Sequence, residues 1–246
     1  MSAEPIAVVA DIHGNVWALE VVLADIHRRG ISQILNLGDT VYGSLEPQAT
    51  VDRLMSLPVV SVLGNEDTVL IDPPAVISPT VDFTLHSLNQ IALGWFGAQT
   101  LIKVIDDQLL LCHGTPMSNQ EYLLEDISRG IMVLRSSDEI VRRLPGNPPA
   151  AILCGHSHNP RVVSLPGGRV VINPGSVGLQ AYTDDVGGFH KMETGSPHTR
   201  YAILTPTGQG WQVDLVVLPY PWEKAASTAR KNGRMDWAAW LETGKA

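Results

Sequence analysis

The chain has 246 residues, 44% of them hydrophobic, and its 17 basic and 25 acidic residues give a net charge of −8. These values predict one globular domain over 1–246, and the negative charge argues against non-specific binding to nucleic acid or to an anionic membrane. No apolar stretch approaches the roughly 18 residues of a membrane span, and the start of the chain lacks the basic cluster of a signal peptide. We therefore expect a cytoplasmic protein without a membrane-spanning segment. These features give no prediction of the oligomeric state, which is unknown.

The first quarter of the chain alternates short apolar runs with helical periodicity. Leu19, Val22 and Ile26 recur at helical spacing, and Pro47 stands in the first turn of a second predicted helix, where proline is tolerated. One predicted helix begins at Asn15 and ends at Gly30, and a second covers Leu45–Leu57. The predicted strands are Ile6–Ala10, Ile34–Leu37 and Val59–Leu63. Such alternation predicts a sheet layered with helices.

The middle of the chain predicts a proline-rich irregular segment over 72–79 and then a single helix over Thr84–Phe96. Ser136 and Glu139 form a capping box that opens a short helix. The predicted strands of this part and of the part that follows are Lys103–Ile105, Leu109–Cys112, Ala150–Cys154, Arg161–Leu165, Arg169–Ile172, Tyr201–Leu204 and Trp211–Leu218.

The remaining predictions concern the loops, the C-terminal tail and the two cysteines. A polar stretch over 182–198 is expected to be irregular, and with the loops at 66–83 and 114–135 it is expected to face the substrate. A C-terminal helical tail is predicted at about 222–243, interrupted near Gly233. Cys112 and Cys154 each end an apolar run, which predicts small buried thiols and no disulfide framework.

Candidate metal ligands fall directly after five of the predicted strands. They are Asp11 and His13 in D-I-H-G-N, Asp39 in G-D, Asn65 in G-N-E-D, His113 in H-G-T-P, and His156 and His158 in G-H-S-H. Loops at the carboxyl ends of strands converge in layered α/β folds, so these side chains can meet at one site. Carboxylates and imidazoles suit divalent transition metals better than the all-oxygen cages that magnesium and calcium prefer.

Each motif has an ordinary explanation when it is taken alone. Gly38-Asp39 and Gly64-Asn65 are common turn sequences, and one histidine after a strand is more often a hydrogen-bonded surface or core residue than a ligand. Five strand-end motifs with compatible ligand chemistry, in this order along one chain, favour a metal site over coincidence.

The ordered set D-x-H, G-D, G-N-x-[ED], H and G-H-x-H resembles the calcineurin-like metallophosphoesterase superfamily. The segment N-P-G-S-V-G over Asn173–Gly178 is similar to the one that follows the last ligand pair in its small prokaryotic, phosphodiesterase-type members. The similarity extends to E-Y-L after H-G-T-P and to Y-P-W-E-K-A at Tyr220–Ala225, so it covers nearly the whole chain.

The resemblance implies an α/β fold, a four-layer α-β-β-α sandwich of two mixed sheets flanked by helices, with the metal site at the C-terminal ends of the strands. It also implies two divalent metals, with manganese favoured and zinc, iron or nickel as alternatives. Asp11, His13, Asp39 and His158 would hold one metal, and Asp39, Asn65, His113 and His156 the other. Asp39 would bridge the metals, and a hydroxide held between them would attack phosphorus in line.

Two further residues carry separate expectations. Asn15 is a candidate for contact with the phosphate, and an N-cap role is its alternative. Glu66 stands where the family pattern often has a histidine that orients the phosphate and protonates the leaving group. Nearby dications would lower the pKa of Glu66, so we expect it to be a poor replacement as proton donor.

The function expected from the resemblance is hydrolysis of a small-molecule phosphoester, as a phosphodiesterase, a phosphatase or both. Asp39, Asn65 and His156 are the candidate catalytic residues, since they would hold the nucleophile and position the phosphate, and Asn65 would also bind substrate. Long nucleic acids are disfavoured as substrates by the net charge of −8. The alternative is a metal-binding but catalytically weak or inactive protein-interaction module on the same fold, for which the histidine missing at position 66 is an argument.

Overall fold

The computed structural model of the chain describes residues 4–246 as two β-sheets with helices on their outer faces. The strands are β1 (Ile6–Val9), β2 (Gln33–Asn36), β3 (Val59–Ser61), β4 (Ile102–Ile105), β5 (Leu109–Cys112), β6 (Glu125–Asp126), β7 (Val133–Leu134), β8 (Ala151–Leu153), β9 (Arg161–Leu165), β10 (Arg169–Asn173), β11 (Ala181–Asp184), β12 (His190–Glu193), β13 (Thr199–Thr207) and β14 (Gly210–Leu218). The helices are α1 (Val16–Arg28), α2 (Pro47–Met55), α3 (Asn65–Ile71), α4 (Pro79–Ser87), α5 (Gln90–Gly97), α6 (Ser137–Val141), α7 (Trp222–Lys231) and α8 (Met235–Thr243).

Both large sheets are mixed, as the family resemblance implied. The first has the strand order β14-β13-β1-β2-β3, with β1, β2 and β3 parallel and β13 antiparallel to β1. The second has the order β4-β5-β8-β10-β9, with β5, β8 and β10 parallel. Each sheet therefore has a parallel centre, and the strands that precede the candidate ligands belong to these two centres.

Alternating side chains of the central strands build two separate layers of the core. Val8 of β1 faces the second sheet and packs with Leu109 and Leu153, whereas Ala7 and Val9 face the helices α1, α7 and α8. This is the two-residue periodicity of a strand that is buried on both faces. It explains why Ile6–Ala10 is a continuous apolar run in the sequence.

The outer face of the second sheet is covered by α6 and the segment around Leu123. Ile140 of α6 packs there against Leu110 and Ile152, and both Cys112 and Cys154 lie in the same cluster as buried free thiols. The two sheets and the two helical coverings give the predicted order of layers. The cysteine prediction is confirmed.

The sequence prediction was wrong in four segments. The single helix expected over Thr84–Phe96 is two helices, α4 and α5, because Asn89 caps a new helix by accepting a hydrogen bond from Ala92 N. The stretch over 182–198 is not irregular throughout, since β11 and β12 form a hairpin within it. The segments 66–83 and 114–135 are not loops throughout, since α3 covers 66–71 in the first segment and β6 and β7 form a short ribbon in the second.

The other predicted strands and helices are present, with boundaries shifted by a few residues. The C-terminal tail consists of α7 and α8, and Gly233 lies between them with a φ of 78°, as the predicted interruption requires. Within residues 4–246, no helix combines the length and the apolar composition needed to cross a membrane.

Candidate metal centre

The loops that carry the candidate ligands are hydrogen-bonded to one another at the carboxyl ends of the strands. Asp11 N donates to Gly38 O at 3.0 Å and His13 N to Asp39 O at 3.0 Å, which joins the loops after β1 and β2. Gly155 N donates to His113 O at 2.7 Å, which joins the loops after β5 and β8. These backbone bonds bring side chains from distant parts of the sequence into one place.

Six of the predicted ligands form two compact groups. One group is Asp11, His13 and His158, the other is Asp39, His113 and His156, and in each the ligand atoms lie within 4.8 Å of one another. Asn65 adjoins the second group, with its Oδ1 3.0 Å from His113 Nε2. The groups coincide with the division of ligands that the family resemblance implied, except that Asp39 is assigned to one of them.

Three of the histidines are fixed by hydrogen bonds on the side of the ring that faces away from the centre. The Nδ1 atoms of His13, His113 and His158 lie 2.9, 2.8 and 2.5 Å from the carbonyl oxygens of Tyr42, Leu37 and Leu179, respectively. A carbonyl can only accept, so these Nδ1 atoms carry the hydrogens and the Nε2 atoms face the site. Such a second contact is typical of metal-binding histidines, because it fixes both the tautomer and the ring orientation.

The backbone is strained at most of the ligand positions. Five of the seven non-glycine residues with positive φ in the described part of the chain are predicted ligands, and they are Asp11, His13, Asp39, His156 and His158, with φ between 51° and 68°. This left-handed conformation is unfavourable for residues with a Cβ and persists where the surroundings enforce it. Its concentration at one place is typical of a functional site.

The electrostatics of the site favour a positive charge. Burial acts to lower the pKa of His113, but Asp39 and Asp11 outweigh it and raise that pKa to about 10. Burial raises the pKa of Asp11 to about 8. Burial also acts to raise the pKa of Asp39, yet His113 and the neighbouring imidazoles hold it well below its usual value.

The donor set fits a pair of divalent cations. Asp11 Oδ2 is buried and has no hydrogen-bond partner among the described residues, although a buried carboxylate oxygen without one is costly. Burial lowers the pKa of His156 to about 3 and that of His158 well below its usual value, so both rings are neutral, as ligands must be. Carboxylate oxygens with imidazole nitrogens are donors for manganese, iron, nickel or zinc.

Glycines allow the loops to approach closely at two positions. A Cβ at Gly64 would lie 2.0 Å from Asp39 Oδ1, and a Cβ at Gly178 would lie 1.7 Å from Ile12 O. Gly178 ends the N-P-G-S-V-G segment, in which Asn173 Nδ2 donates to Gly155 O at 2.8 Å. This segment therefore connects the ligand loops after β1 and β8.

The G-N-E-D segment opens α3, and its three polar residues have different environments. Asn65 and Glu66 line the cavity beside the ligands, while Asp67 is fully buried behind them. Asp67 accepts hydrogen bonds from Gly64 N at 3.1 Å and from Thr40 N at 2.9 Å, and so ties the start of α3 to the Asp39 loop. Glu66 N donates to Asp39 Oδ1 at 3.0 Å, which orients the predicted bridging carboxylate.

The net effect of the protein's own groups is to raise the pKa of Glu66. Burial, followed by the carboxylates of Asp39, Asp184 and Asp67, raises this pKa to about 8, although His113 acts to lower it. The fall expected from the sequence depends on cations at the site, whose charge would oppose these effects.

Asn15 has the N-cap role that was the alternative expectation for it. Its Oδ1 accepts a hydrogen bond from Ala18 N at 3.2 Å, and its Nδ2 donates to Gly178 O at 2.8 Å and to Tyr220 Oη at 3.1 Å. The side chain is fully buried and its hydrogen bonds are made within the protein.

A cavity of about 290 Å³ opens beside the ligands. The residues that line it are His13, Asp39, Tyr42, Asn65, Glu66, His156, His158, Leu179, Tyr182, Thr183, Asp184, Val186, Arg234, Trp237 and Trp240. The last three come from the C-terminal tail, and Tyr182 comes from the hairpin of β11 and β12. Tyr182 lies in the stretch 182–198 that was expected to face the substrate, whereas the three tail residues were not predicted to reach the site.

Comparison with known proteins agrees with this fold. The sequence-family model of the calcineurin-like phosphoesterase superfamily domain matches residues 5–195, and the chain belongs to this superfamily. An uncharacterised protein of Methanocaldococcus jannaschii is 26% identical over 254 residues, which cover 94% of each chain.

Two solved structures share the fold along almost the whole chain. The crystal structure of a metallophosphoesterase from Sphaerobacter thermophilus has a TM-score of 0.76 at 23% identity, covering 99% of this chain and 100% of that one. The crystal structure of a hypothetical protein from Pyrococcus horikoshii OT3 has a TM-score of 0.75 at 16% identity, covering 98% of each chain. At these identities the likeness shows the fold.

Proposed function

We propose that the protein is a dinuclear metal-dependent hydrolase of small phosphoesters. The observation that carries this proposal is the pair of adjacent ligand groups, each with two imidazoles and one carboxylate, in a chain of the calcineurin-like phosphoesterase superfamily. A site for a single metal would leave one of these buried groups without a purpose.

Asp11, His13 and His158 would hold one metal, and Asn65, His113 and His156 the other, with Asp39 between them. Manganese is the metal we favour, and zinc, iron and nickel also suit these donors. When bound, the two metals supply a water of lowered pKa and stabilise charge on the attacking and leaving oxygens of an in-line displacement.

The chain's own side chains position the substrate and the bridging carboxylate. The hydrogen bond from Glu66 N fixes one oxygen of Asp39, and Asn65 presents its amide to the cavity beside His113. Because the carboxylates of Asp39, Glu66 and Asp184 outnumber the one guanidinium, Arg234, among the residues that line this cavity, the protein alone would repel a phosphate. Cations at the ligand groups are therefore needed to attract an anionic substrate.

The cavity supports a small molecule as the substrate. Its volume of about 290 Å³ lies at the lower end of ligand pockets, which occupy roughly 300–1,000 Å³. Glu66 does not provide the histidine acid of the usual family pattern. Activity should therefore depend on the metals and favour good leaving groups such as nitrophenolates.

The test is turnover of bis-p-nitrophenyl phosphate and p-nitrophenyl phosphate with added Mn²⁺, in the wild type and in Asp39→Asn. We expect kcat/KM to fall by at least about 100-fold in the variant, since even residues that only orient metal ligands contribute about 10–100-fold. Asp214→Asn, an exposed position on β14, is the matched control and should be unaffected. Activity that persists in Asp39→Asn would refute the metal mechanism.

The same assay tests the alternative of a non-catalytic module. Glu66 in place of the usual acid is the observation that favours it. Two equivalents of bound metal with no hydrolysis of either substrate would support a binding module and contradict the proposed activity.

A further inference from the structure

Tyr122, Tyr182 and His190 form a continuous hydrogen-bonded group on one side of His156. The hydroxyl oxygens of the two tyrosines lie 2.9 Å apart, and Tyr122 Oη lies 2.9 Å from His190 Nε2. Tyr182 Oη donates to the carbonyl oxygen of His156 at 2.8 Å. Tyr122 and His190 are 6% and 1% exposed, and Tyr182 is partly buried and lines the cavity, so this group, hereafter the Tyr-Tyr-His group, lies mostly in the interior.

The Tyr-Tyr-His group contacts both the backbone and the ring of His156. The Tyr122 ring stacks on the His156 imidazole, with centroids 4.4 Å apart and planes inclined by 23°. The hydroxyl of Tyr182 holds the His156 carbonyl at a residue whose φ is 68°. A left-handed histidine persists only where its surroundings enforce it, and these two contacts do so.

The group is itself anchored at a distance from the ligands. His190 Nδ1 lies 2.8 Å from Gly188 O, within the turn of the hairpin. Because β11 pairs with β12 in the register Asp184↔His190, the hairpin holds Tyr182 and His190 at a fixed separation. Tyr122 belongs to the loop after β5, so the group joins two separate segments to His156.

We propose that Tyr122, Tyr182 and His190 are positioning residues that set the affinity of the metal held with His156 and leave the metal held with His158 unaffected. This inference rests on the proposed dinuclear centre. The selectivity follows from the contacts, because the tyrosine hydroxyls bind the His156 carbonyl and each other. The Tyr182 ring also packs on the His158 ring, with centroids 4.5 Å apart, but a phenylalanine at position 182 retains that contact.

The experiment is calorimetric titration of Mn²⁺ into the purified, metal-depleted full chain. Tyr182→Phe removes the hydroxyl that holds His156, Tyr122→Phe keeps the stacked ring, and Tyr122→Leu removes both ring and hydroxyl. Tyr201→Phe is the matched control, since Tyr201 is also a buried tyrosine whose hydroxyl donates to a single partner, Asp25. Thermal unfolding of every variant is measured in parallel.

We expect one of the two Mn²⁺ sites to weaken by about 10–100-fold in Tyr182→Phe, the range found when the support of a metal ligand is lost. Tyr122→Leu should weaken the same site more than Tyr122→Phe does, and the other site should change by less than about twofold. Tyr201→Phe should lower the melting temperature and leave both affinities unchanged, which separates positioning from general stability.

Unchanged affinities in both Tyr182→Phe and Tyr122→Leu would overturn the inference, and so would an equal loss at both sites. A wild type that binds no Mn²⁺ would overturn the proposed centre before any variant is compared. A wild type that binds two Mn²⁺ ions without hydrolysing phosphoesters would refute only the proposed activity, since the affinities still test the Tyr-Tyr-His group.

Discussion

At position 66 the cavity carries a carboxylate where the family pattern often has a histidine. The backbone N–H of Glu66 still orients Asp39, whereas the Glu66 side chain faces a cavity that Asp184 also lines. Asp67 has a structural role, because its two carboxylate oxygens accept hydrogen bonds from the backbone N–H groups of Thr40 and Gly64. The backbone roles of the G-N-E-D segment are thus independent of the side chain at position 66.

Substitution of Glu66 tests whether this side chain donates a proton. Glu66→Gln should change kcat by less than about threefold for nitrophenyl and for alkyl phosphodiesters, because neither depends on a proton from this residue. Glu66→His should raise kcat for the alkyl substrate alone, within the factor of about 10²–10⁴ that general acid catalysis supplies. The measurement is kcat for both substrates with saturating Mn²⁺.

The leaving-group dependence provides the control for this prediction. A loss of about 100-fold or more in Glu66→Gln, confined to the alkyl substrate, would identify Glu66 as the proton donor. Equal losses on both substrates would point to disturbed metal binding instead.

At the scale of strands and helices, local signals predicted the elements that build the ligand loops. Each of these strands is a short apolar run ended by glycine or by a ligand, and α1 has a clear apolar face. The break between α4 and α5 also had a local signal, since Asn89 is a good N-cap, but the apolar residues around it suggested one continuous helix.

The hairpin of β11 and β12 had no such signal. Its strands have four residues each, A-Y-T-D and H-K-M-E, which are too short and too polar to show strand periodicity. Their pairing depends on tertiary contacts, such as the hydrogen bond of Tyr182 with His156 and the buried position of His190. The seven candidate ligands could be predicted from sequence and lie together in the structure, whereas the contacts that support them could not be predicted.

The attachment of α1 to β13 gives a prediction at this scale. Asp25 is 7% exposed and accepts hydrogen bonds from Tyr201 Oη at 2.6 Å and Arg29 Nε at 2.7 Å. Burial alone would raise the pKa of Asp25, but these donors and Arg28 lower it below 3.8. Asp25→Asn should therefore reduce the free energy of unfolding at pH 7 by about 2 kcal/mol, a typical value for hydrogen bonds to a charged group.

The pH dependence of this loss follows from the lowered pKa. A carboxylate whose pKa is lower in the folded state contributes stability above its unfolded pKa, and this contribution is lost as the pH falls through the folded value. The difference between the wild type and Asp25→Asn in urea unfolding should thus be complete at pH 7 and shrink below about pH 4. A difference that is constant down to pH 3 would contradict the ion-paired description.

In the whole molecule, the C-terminal part is built into both the core and the cavity. The family match ends at residue 195, yet β13 lies beyond it and pairs directly with β1 in the first sheet. Further along, α7 and α8 cover the outer face of that sheet, and Trp237 and Trp240 also line the cavity. The segment after residue 195 therefore forms one side of the candidate active site.

Trp237 connects this segment to the ligand loop after β1. Its ring meets the His13 ring edge-on, with centroids 5.8 Å apart, and a Cβ at Gly43 would lie 2.4 Å from it. The Arg234 guanidinium lies over the Trp237 ring, 5.2 Å from its centroid, and Asn232 Nδ2 donates to Ser44 O at 2.8 Å. The tail thus packs against His13 from outside the sheet.

Trp237→Ala tests whether this packing matters for the metal centre. The Trp237 side chain is 3% exposed, and its removal should leave a large cavity in the core. We therefore expect the free energy of unfolding to fall by about 3–5 kcal/mol. The loss of the ring beside His13 should also weaken binding of the metal that Asp11, His13 and His158 would hold. The Tyr182→Phe variant is expected to act on the other metal. Urea unfolding and Mn²⁺ titration measure the two effects, with Trp211→Ala on β14 as the control that should alter stability alone. If Trp237→Ala is folded and binds both Mn²⁺ ions with wild-type affinity, the tail only covers the sheet and has no part in holding His13.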